Sequence, residues 1–317
     1  MKIRLETELD WRELDAFIEG VSGATFFQSS TFLTGLEAFC GYSVLALTLR
    51  EGGALAALLP FAEKRRRGFS LLECLPFGTP GGPLLAEGAD PAFAEALLAA
   101  FLDKTGGRVL RASAVLPADE SLDIEGPDRM ITQVLDLEPG YEILAAKAVA
   151  PAKRRQVRQS GERGLLCRRS ADPADLAAWH AIYLENADRW ELSHPMGLDF
   201  LEHLLRDERR VELTLAEREG ELIGASLDLY QGGEAYYWMG AGRREFGHLR
   251  TSAALYDARL RRACERGALR LNLGFSPDKP ELFRYKRDFG GRPLACALRS
   301  RSRAGFAFLQ RLRGRSA

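Results

Sequence analysis

Leu271-Asn272-Leu273-Gly274, followed by Phe283-Arg284-Tyr285-Lys286-Arg287-Asp288-Phe289-Gly290, is the stretch on which the reading of the fold turns. It predicts a strand over Leu269–Leu273, a helix over Lys279–Asp288 stopped at Gly290-Gly291, and a last strand near Pro293–Leu298. Upstream, a long helix is predicted from Thr251 to Arg266, ended by Gly267. Before it stand three strands, Val211–Glu217, Glu221–Tyr230 and Glu234–Ala241, with Gly232-Gly233 between the last two. Asp172-Pro173 offers an N-cap and a proline at the first helical position, opening a helix to about Trp190 with Leu176, Trp179, Ile182 and Tyr183 at helical spacing. A further helix covers about Gly197–Leu205. Lys153–Gly161 reads as a basic helix and Gly164–Arg169 as a short strand. From that strand on, the order is β-α-α-β-β-β-α-β-α-β.

The first half is compatible with the same order: strand 2–6, helices 10–19 and 29–39, a hairpin at 43–62, strand 69–75, a glycine/proline loop, helix 91–103, strand 107–112 and a last strand near 131–136. Two hairpins resemble one another, ALTLREGGALAALLP over 46–60 and ELTLAEREGELIGASLDL over 212–229. Each turns at a charged residue and glycine, which suggests a duplicated domain. At 317 residues, 46% hydrophobic and 28% charged, the chain has the composition of a globular protein of two domains. They are expected at 1–140 and 141–317, with Glu138–Ala150 as the connection. The fold class is α/β with a mixed sheet flanked by helices in each domain.

No run of about 18 apolar residues suggests a membrane span. The opening Met1-Lys2-Ile3-Arg4-Leu5-Glu6 has no apolar signal core, and five dispersed cysteines read as reduced thiols, so a cytoplasmic location is expected. Net charge is zero, yet 1–140 hold 12 Lys+Arg against 21 Asp+Glu, leaving 32 against 23 for the remainder. An anionic ligand is therefore expected in the basic second half, unless the excess is only a solvated surface.

The closing strand–helix unit resembles that of the GNAT acyltransferase superfamily, where an Asn ends a strand and an aromatic-Lys-x-x-Phe-Gly sequence ends the next helix. Tyr285-Lys286-Arg287-Asp288-Phe289-Gly290 is similar in particular to the FemAB-like branch, which is related to peptidoglycan aminoacyltransferases and exopolysaccharide-cluster acyltransferases. Phe26-Phe27-Gln28, the loop Pro76–Pro83 and the basic helix Lys153–Gly161 resemble further segments of that branch, so the likeness spans about residues 26–290. It implies two tandem GNAT-like domains and transfer of an acyl group to an amine or hydroxyl of a cell-envelope glycan precursor or related small molecule. The substrate would lie between the domains. The donor it implies is acetyl-CoA or another acyl-CoA, with an aminoacyl-tRNA as the alternative; a binding module without catalysis is the third reading. No metal and no DNA partner is expected. Direct attack, with no covalent enzyme intermediate, is the expected chemistry.

By this resemblance the donor lies where Trp238–Ala241 faces Asn272–Phe275, and the small Gly240 and Ala241 let a ligand approach the backbone. Arg244, Gly247, Arg250 and Thr251 are candidate pyrophosphate contacts at a helix N-terminus, with Leu249 where the family has a small residue. Asn272 completes the cofactor-binding set. Lys286 is the first catalytic candidate, as a cation for a developing oxyanion or a diphosphate. Tyr285 is the candidate acid for the leaving thiolate, and the two neighbours are not expected to face one ligand. Glu185 is the candidate general base, although an ion pair with Arg189 is the plainer account. Arg154 and Arg158 share a helix face that could clamp a phosphate. Arg189, Tyr237 and Trp238 are acceptor-side candidates. The arginines and apolar residues of 299–315 suggest either an amphipathic tail touching an anionic membrane or a terminal helix packed on the sheet.

Overall fold

The computed structural model describes residues 2–123, 125, 128–276 and 279–306. Its chain divides into two compact units, one of residues 1–130 with 295–317 and one of residues 131–294.

In the first unit the chain runs β1 (Arg4–Glu6), α1 (Trp11–Glu19), α2 (Ser30–Cys40), β2 (Ser43–Glu51), β3 (Ala54–Arg66), β4 (Phe69–Glu73), β5 (Leu84–Leu85), α3 (Ala92–Leu102) and β6 (Val109–Asp119). The side chain of Asp10 caps α1 through the N–H groups of Arg12 and Glu13, and Gly41 ends α2 in the left-handed region. The β2–β3 hairpin turns on Gly52 and Gly53, both at positive φ, as a two-residue loop between right-twisted strands requires. The strands pair antiparallel except for parallel β4 and β6. Phe61, Leu59, Leu97 and Phe101 pack the core between the sheet and α3. Gln28 ties together two of the family-like segments: its amide donates to the Gly82 carbonyl (2.9 Å), while Thr25 donates to Pro80 (3.2 Å).

The second unit takes the chain from β7 (Arg129–Asp136) through α4 (Tyr141–Lys147), α5 (Pro151–Glu162), β8 (Leu166–Ser170), α6 (Pro173–Arg189), α7 (Leu198–Leu205), β9 (Val211–Arg218), β10 (Glu221–Gln231), β11 (Glu234–Gly242), α8 (Thr251–Glu265), β12 (Arg270–Phe275) and α9 (Pro280–Asp288) into β13 (Arg292–Ser302). Its sheet order is β7-β12-β11-β10-β9-β8, with β11 and β12 parallel and the other pairs antiparallel. The β9–β10 turn, Glu219-Gly220, again has positive φ at both residues. α8 covers the sheet with Ala253, Tyr256, Leu260 and Ala263, which share a core with Leu271, Leu273 and Phe289.

Two departures concern the ends of the units. The strand at 131–136 pairs with β12 (Asp136↔Arg270, Leu135↔Leu271), so it opens the second unit rather than closing the first. From Ala295 on, β13 pairs antiparallel with β6 and completes the first unit. A division at 140/141 misses this exchange because strand length and polarity say nothing about the strand's partner. The segment 138–150 carries α4, whose Leu144 joins the second core. Arg299 and Arg301 lie on β13 and Arg303 follows it, with Arg301 paired to Asp103 and Arg303 bonded to the Gly107 carbonyl, and a helical stretch begins only at 304–306. Arg311, Arg313 and Arg315 lie outside the described residues. Among the described residues no helix is long and apolar enough to cross a membrane.

Candidate active site

The parallel strands β11 and β12 are in register only from Glu234↔Arg270 to Tyr236↔Asn272, although both continue beyond. A bulge contributes to the divergence: the partners on β10 step from Leu227↔Met239 to Asp228↔Tyr237, leaving Trp238 as the extra residue. A cavity of about 660 Å³ adjoins the diverging stretch, bounded by β11 from Tyr237 to Gly242, by the start of α8, and by α5 and α9. Among the described residues seven of its lining side chains are cationic, Lys153, Arg189, Arg243, Arg244, Arg250, Arg259 and Lys286, and no Asp, Glu or His lines it.

The loop before α8 supplies part of the wall. Arg250 takes a left-handed φ of 63° immediately ahead of Thr251, so the helix starts abruptly beside the cavity. Its first N–H groups have no intrahelical acceptor and carry the positive end of the helix dipole. The Thr251 hydroxyl is buried with no hydrogen-bond partner. Nothing in the protein stands within 4 Å of where a Gly247 side chain would begin. Leu249 departs from the family pattern because it points inward, packed with Leu165, Ile223 and Leu255, and leaves the cavity wall to its neighbours.

α9 delivers Lys286, 4% exposed, with Nζ donating to the carbonyls of Gly274 (3.0 Å) and Phe275 (2.9 Å). Those carbonyls turn toward it because Gly274 is at φ 69° and because Asn272 accepts the Gly274 N–H (2.9 Å). Burial, and secondarily the Arg259 guanidinium, pushes the Lys286 ammonium down to about 7. Arg259, on the third turn of α8, is 3% exposed and ion-paired through Nε with the buried Asp228 of β10. Its guanidinium lies 3.9 Å from the centre of the Tyr237 ring. Tyr237 in turn covers Gly240, where a methyl group would meet its hydroxyl at 2.5 Å. The Tyr285 ring lies under Lys153 (4.0 Å) and against Phe289; its buried hydroxyl makes no hydrogen bond of ordinary geometry, Ser252 being a polar neighbour. Burial raises the phenols of Tyr237, Tyr256 and Tyr285 well above their ordinary range.

The cavity thus brings together Lys286, Tyr285, Gly240, Ala241, Arg244, Gly247, Arg250, Thr251, Arg189 and Tyr237. Lys286 and Tyr285 reach it together, against expectation, because a cavity this wide spans the 100° between adjacent helical residues. Four placements differ from the expected ones. Glu185 is exposed on α6 and does not line the cavity; Arg189 bonds Asn186 instead. Arg154 and Arg158 are exposed, bonded to the Ala146 carbonyl and to Glu162 (3.4 Å); α5 turns Lys153 and Gln156 to the cavity. Asn272 spends its side chain on Thr132 (2.6 Å), Gly274 and Glu234 (3.3 Å), shaping the lysine cradle from behind. Trp238, displaced by the bulge, packs edge-on against Phe200 of α7. Arg259, Asp228 and Asn186 escaped notice, although a lone Arg on the apolar stripe of α8 and a lone Asp inside an apolar strand are a recognisable signal for a buried pair.

A splayed parallel strand pair, a helix N-terminus and a cationic cavity together make the arrangement expected of a GNAT acyltransferase domain. Residues 147–287 match the family model described as the acetyltransferase (GNAT) domain. In solved structures the fold recurs in FemX, with TM-score 0.74 at 13% identity over 98% of this chain and 99% of that one. It also recurs in the C-terminal domain of a putative lysylphosphatidylglycerol synthetase from Agrobacterium fabrum (0.61, 12%, 95% and 94%) and in a tandem GNAT protein from the clavulanic acid biosynthesis pathway (0.55, 14%, 95% and 98%). No curated protein matches the chain in sequence. Residues 147–287 thus form an acetyltransferase (GNAT) domain, and the chain as a whole has the fold of FemX and of the tandem GNAT protein.

Proposed function

We propose that the second unit binds an acyl-CoA and transfers its acyl group to an amine or hydroxyl of a cell-envelope glycan precursor or related small molecule at the cytoplasmic side. The observation that carries the donor is the cavity's charge: among the described residues seven cations and no carboxylate line it, beside the N-terminus of α8. Such a lining fits a pyrophosphate and a further phosphate, each taking guanidinium or backbone N–H donors. The diverging strands then give the thioester arm a route along β11 toward Lys286. Thermal-shift measurements with acetyl-CoA, CoA and longer acyl-CoAs test the donor, since a ligand that binds only the folded chain raises its melting temperature. No shift with any of them at millimolar concentration rejects it.

One observation favours an aminoacyl-tRNA as donor instead. Arg154, Arg155 and Arg158 are exposed on the same helix that brings Lys153 to the cavity, a basic face an RNA strand could follow. Transfer from charged tRNA, measured in parallel, decides between the two donors.

A further inference from the structure

An amine or hydroxyl acceptor must lose a proton as it attacks, and the leaving thiolate must gain one. The groups that commonly do this are missing from the cavity, which among the described residues is lined by no Asp, Glu or His. The phenols of Tyr237, Tyr256 and Tyr285 are held protonated by burial and make poor bases. Lys286 remains, and its hydrogen bonds have an informative count. A neutral amine has two N–H donors and one lone pair. Gly274 and Phe275 accept from Nζ, so the neutral form is fully satisfied with its lone pair left over; an ammonium would carry a third N–H.

Resting on the acyl-thioester reading, we propose that Lys286, cradled by the Gly274 and Phe275 carbonyls beside the buried Arg259, is the proton relay of the transfer. The acceptor's nitrogen or oxygen bonds to the acyl carbonyl carbon while its proton passes to Lys286 Nζ. The carbon–sulfur bond then breaks, and the new ammonium returns that proton to the thiolate, leaving thiol, acylated acceptor and neutral lysine. Arg259 is a positioning residue here. Its charge disfavours the ammonium, and Asp228 moderates that effect. The other groups packed about this part of the cavity are Tyr285 on α9, Tyr256 on α8, Tyr237 on β11, and Lys153 on α5 with Asp288 nearby. An ammonium near neutrality agrees with this arrangement.

The two halves of the ion pair make opposite predictions, which a merely structural role does not. Lysine-selective 13C labelling of the full chain, with the Lys286 resonance identified by its loss in Lys286→Arg, reads the titration directly. Wild type is expected to titrate near neutrality, Arg259→Gln at higher pH and Asp228→Asn at lower pH. Should the single variants not fold, Arg259→Gln with Asp228→Asn removes the pair without a stranded charge, and its Lys286 is expected to titrate above wild type. A Lys286 that titrates near 10, or shifts in the same direction in both single variants, or does not shift in the double variant, overturns the proposal. The donor reading is tested apart from this. If acetyl-CoA binds but its transfer to small amines stays flat through the Lys286 titration, the relay is wrong and the donor stands. If Lys286 titrates as expected but no acyl-CoA binds, the donor is wrong and the poised base stands.

Discussion

Replacing Lys286 by Met should make the protein more stable and inactive, and the stability gain should vanish at high pH. The ammonium is shifted from 10.5 to about 7 by burial, led by desolvation. The unfolded chain therefore binds more protons than the folded one between those values, and wild-type stability rises with pH across that window. At pH 7 holding the lysine neutral costs about 4 kcal/mol, and at pH 9 about 2 kcal/mol, at 1.36 kcal/mol per unit. The two hydrogen bonds from Nζ offset about 1 kcal/mol each. Methionine fills the space, and water in the cavity can serve the two carbonyls. The net gain for Lys286→Met is then about 2 kcal/mol at pH 7 and close to zero at pH 9. Melting temperatures of both proteins, recorded side by side at half-unit steps from pH 6.5 to 9.5, measure this, because all other titrations cancel in the difference. A gap that is constant across the range, or a variant less stable than wild type at pH 7, would refute the reasoning.

Arg250→Gly should relieve a left-handed residue and raise stability by about 1 kcal/mol while removing a cation from the cavity mouth. Calorimetry should then show acetyl-CoA affinity reduced about tenfold, as expected for one charge-assisted hydrogen bond. Gly240→Ala places a methyl group 2.5 Å from the Tyr237 hydroxyl, under a ring fixed by Arg259, and should cost about 1–3 kcal/mol in thermal unfolding and lower the transfer rate. Asn272→Ala strands the Thr132 hydroxyl and the Gly274 N–H, costing about 2–3 kcal/mol, and by loosening the cradle should move the Lys286 titration upward in the NMR experiment. Acetyl-CoA affinity should fall as salt is raised from 50 to 500 mM, since the cations beside α8 are partly exposed and screened; an affinity independent of salt would separate binding from these charges.

Much of the second unit was legible because its signals are local. Asp172-Pro173 starts α6, Glu219-Gly220 turns a hairpin, and helical spacing marks the buried side of α6. What escaped was set by partners distant in the chain. Whether 131–136 closes one sheet or opens another depends on β12, more than 130 residues later, and nothing within the strand encodes it. On α5 the pattern shows that Arg154 and Arg158 share a face. It does not show that this face looks away while Lys153 and Gln156 look in. Trp238 illustrates a third cause: the bulge at that residue breaks the alternation from which its orientation was read.

On the acyl-CoA reading, the cavity's charge explains why Glu185 is not its base, since among the described residues no Asp or Glu lines it. A cavity adapted to polyphosphate gains from every cation on its wall and loses from every carboxylate, so a base near the thioester has to be uncharged in its working form. Asp228 balances the buried Arg259 guanidinium without lining the cavity. A lysine answers the same constraint from the opposite side, because its basic form is the neutral one and burial favours that form. It also gives a role to Asn272 and Thr132, whose side chains do not bond to Lys286 but hold Gly274, which does. They hold two carbonyls where both accept from Lys286 Nζ, which matches the two N–H groups of a neutral amine.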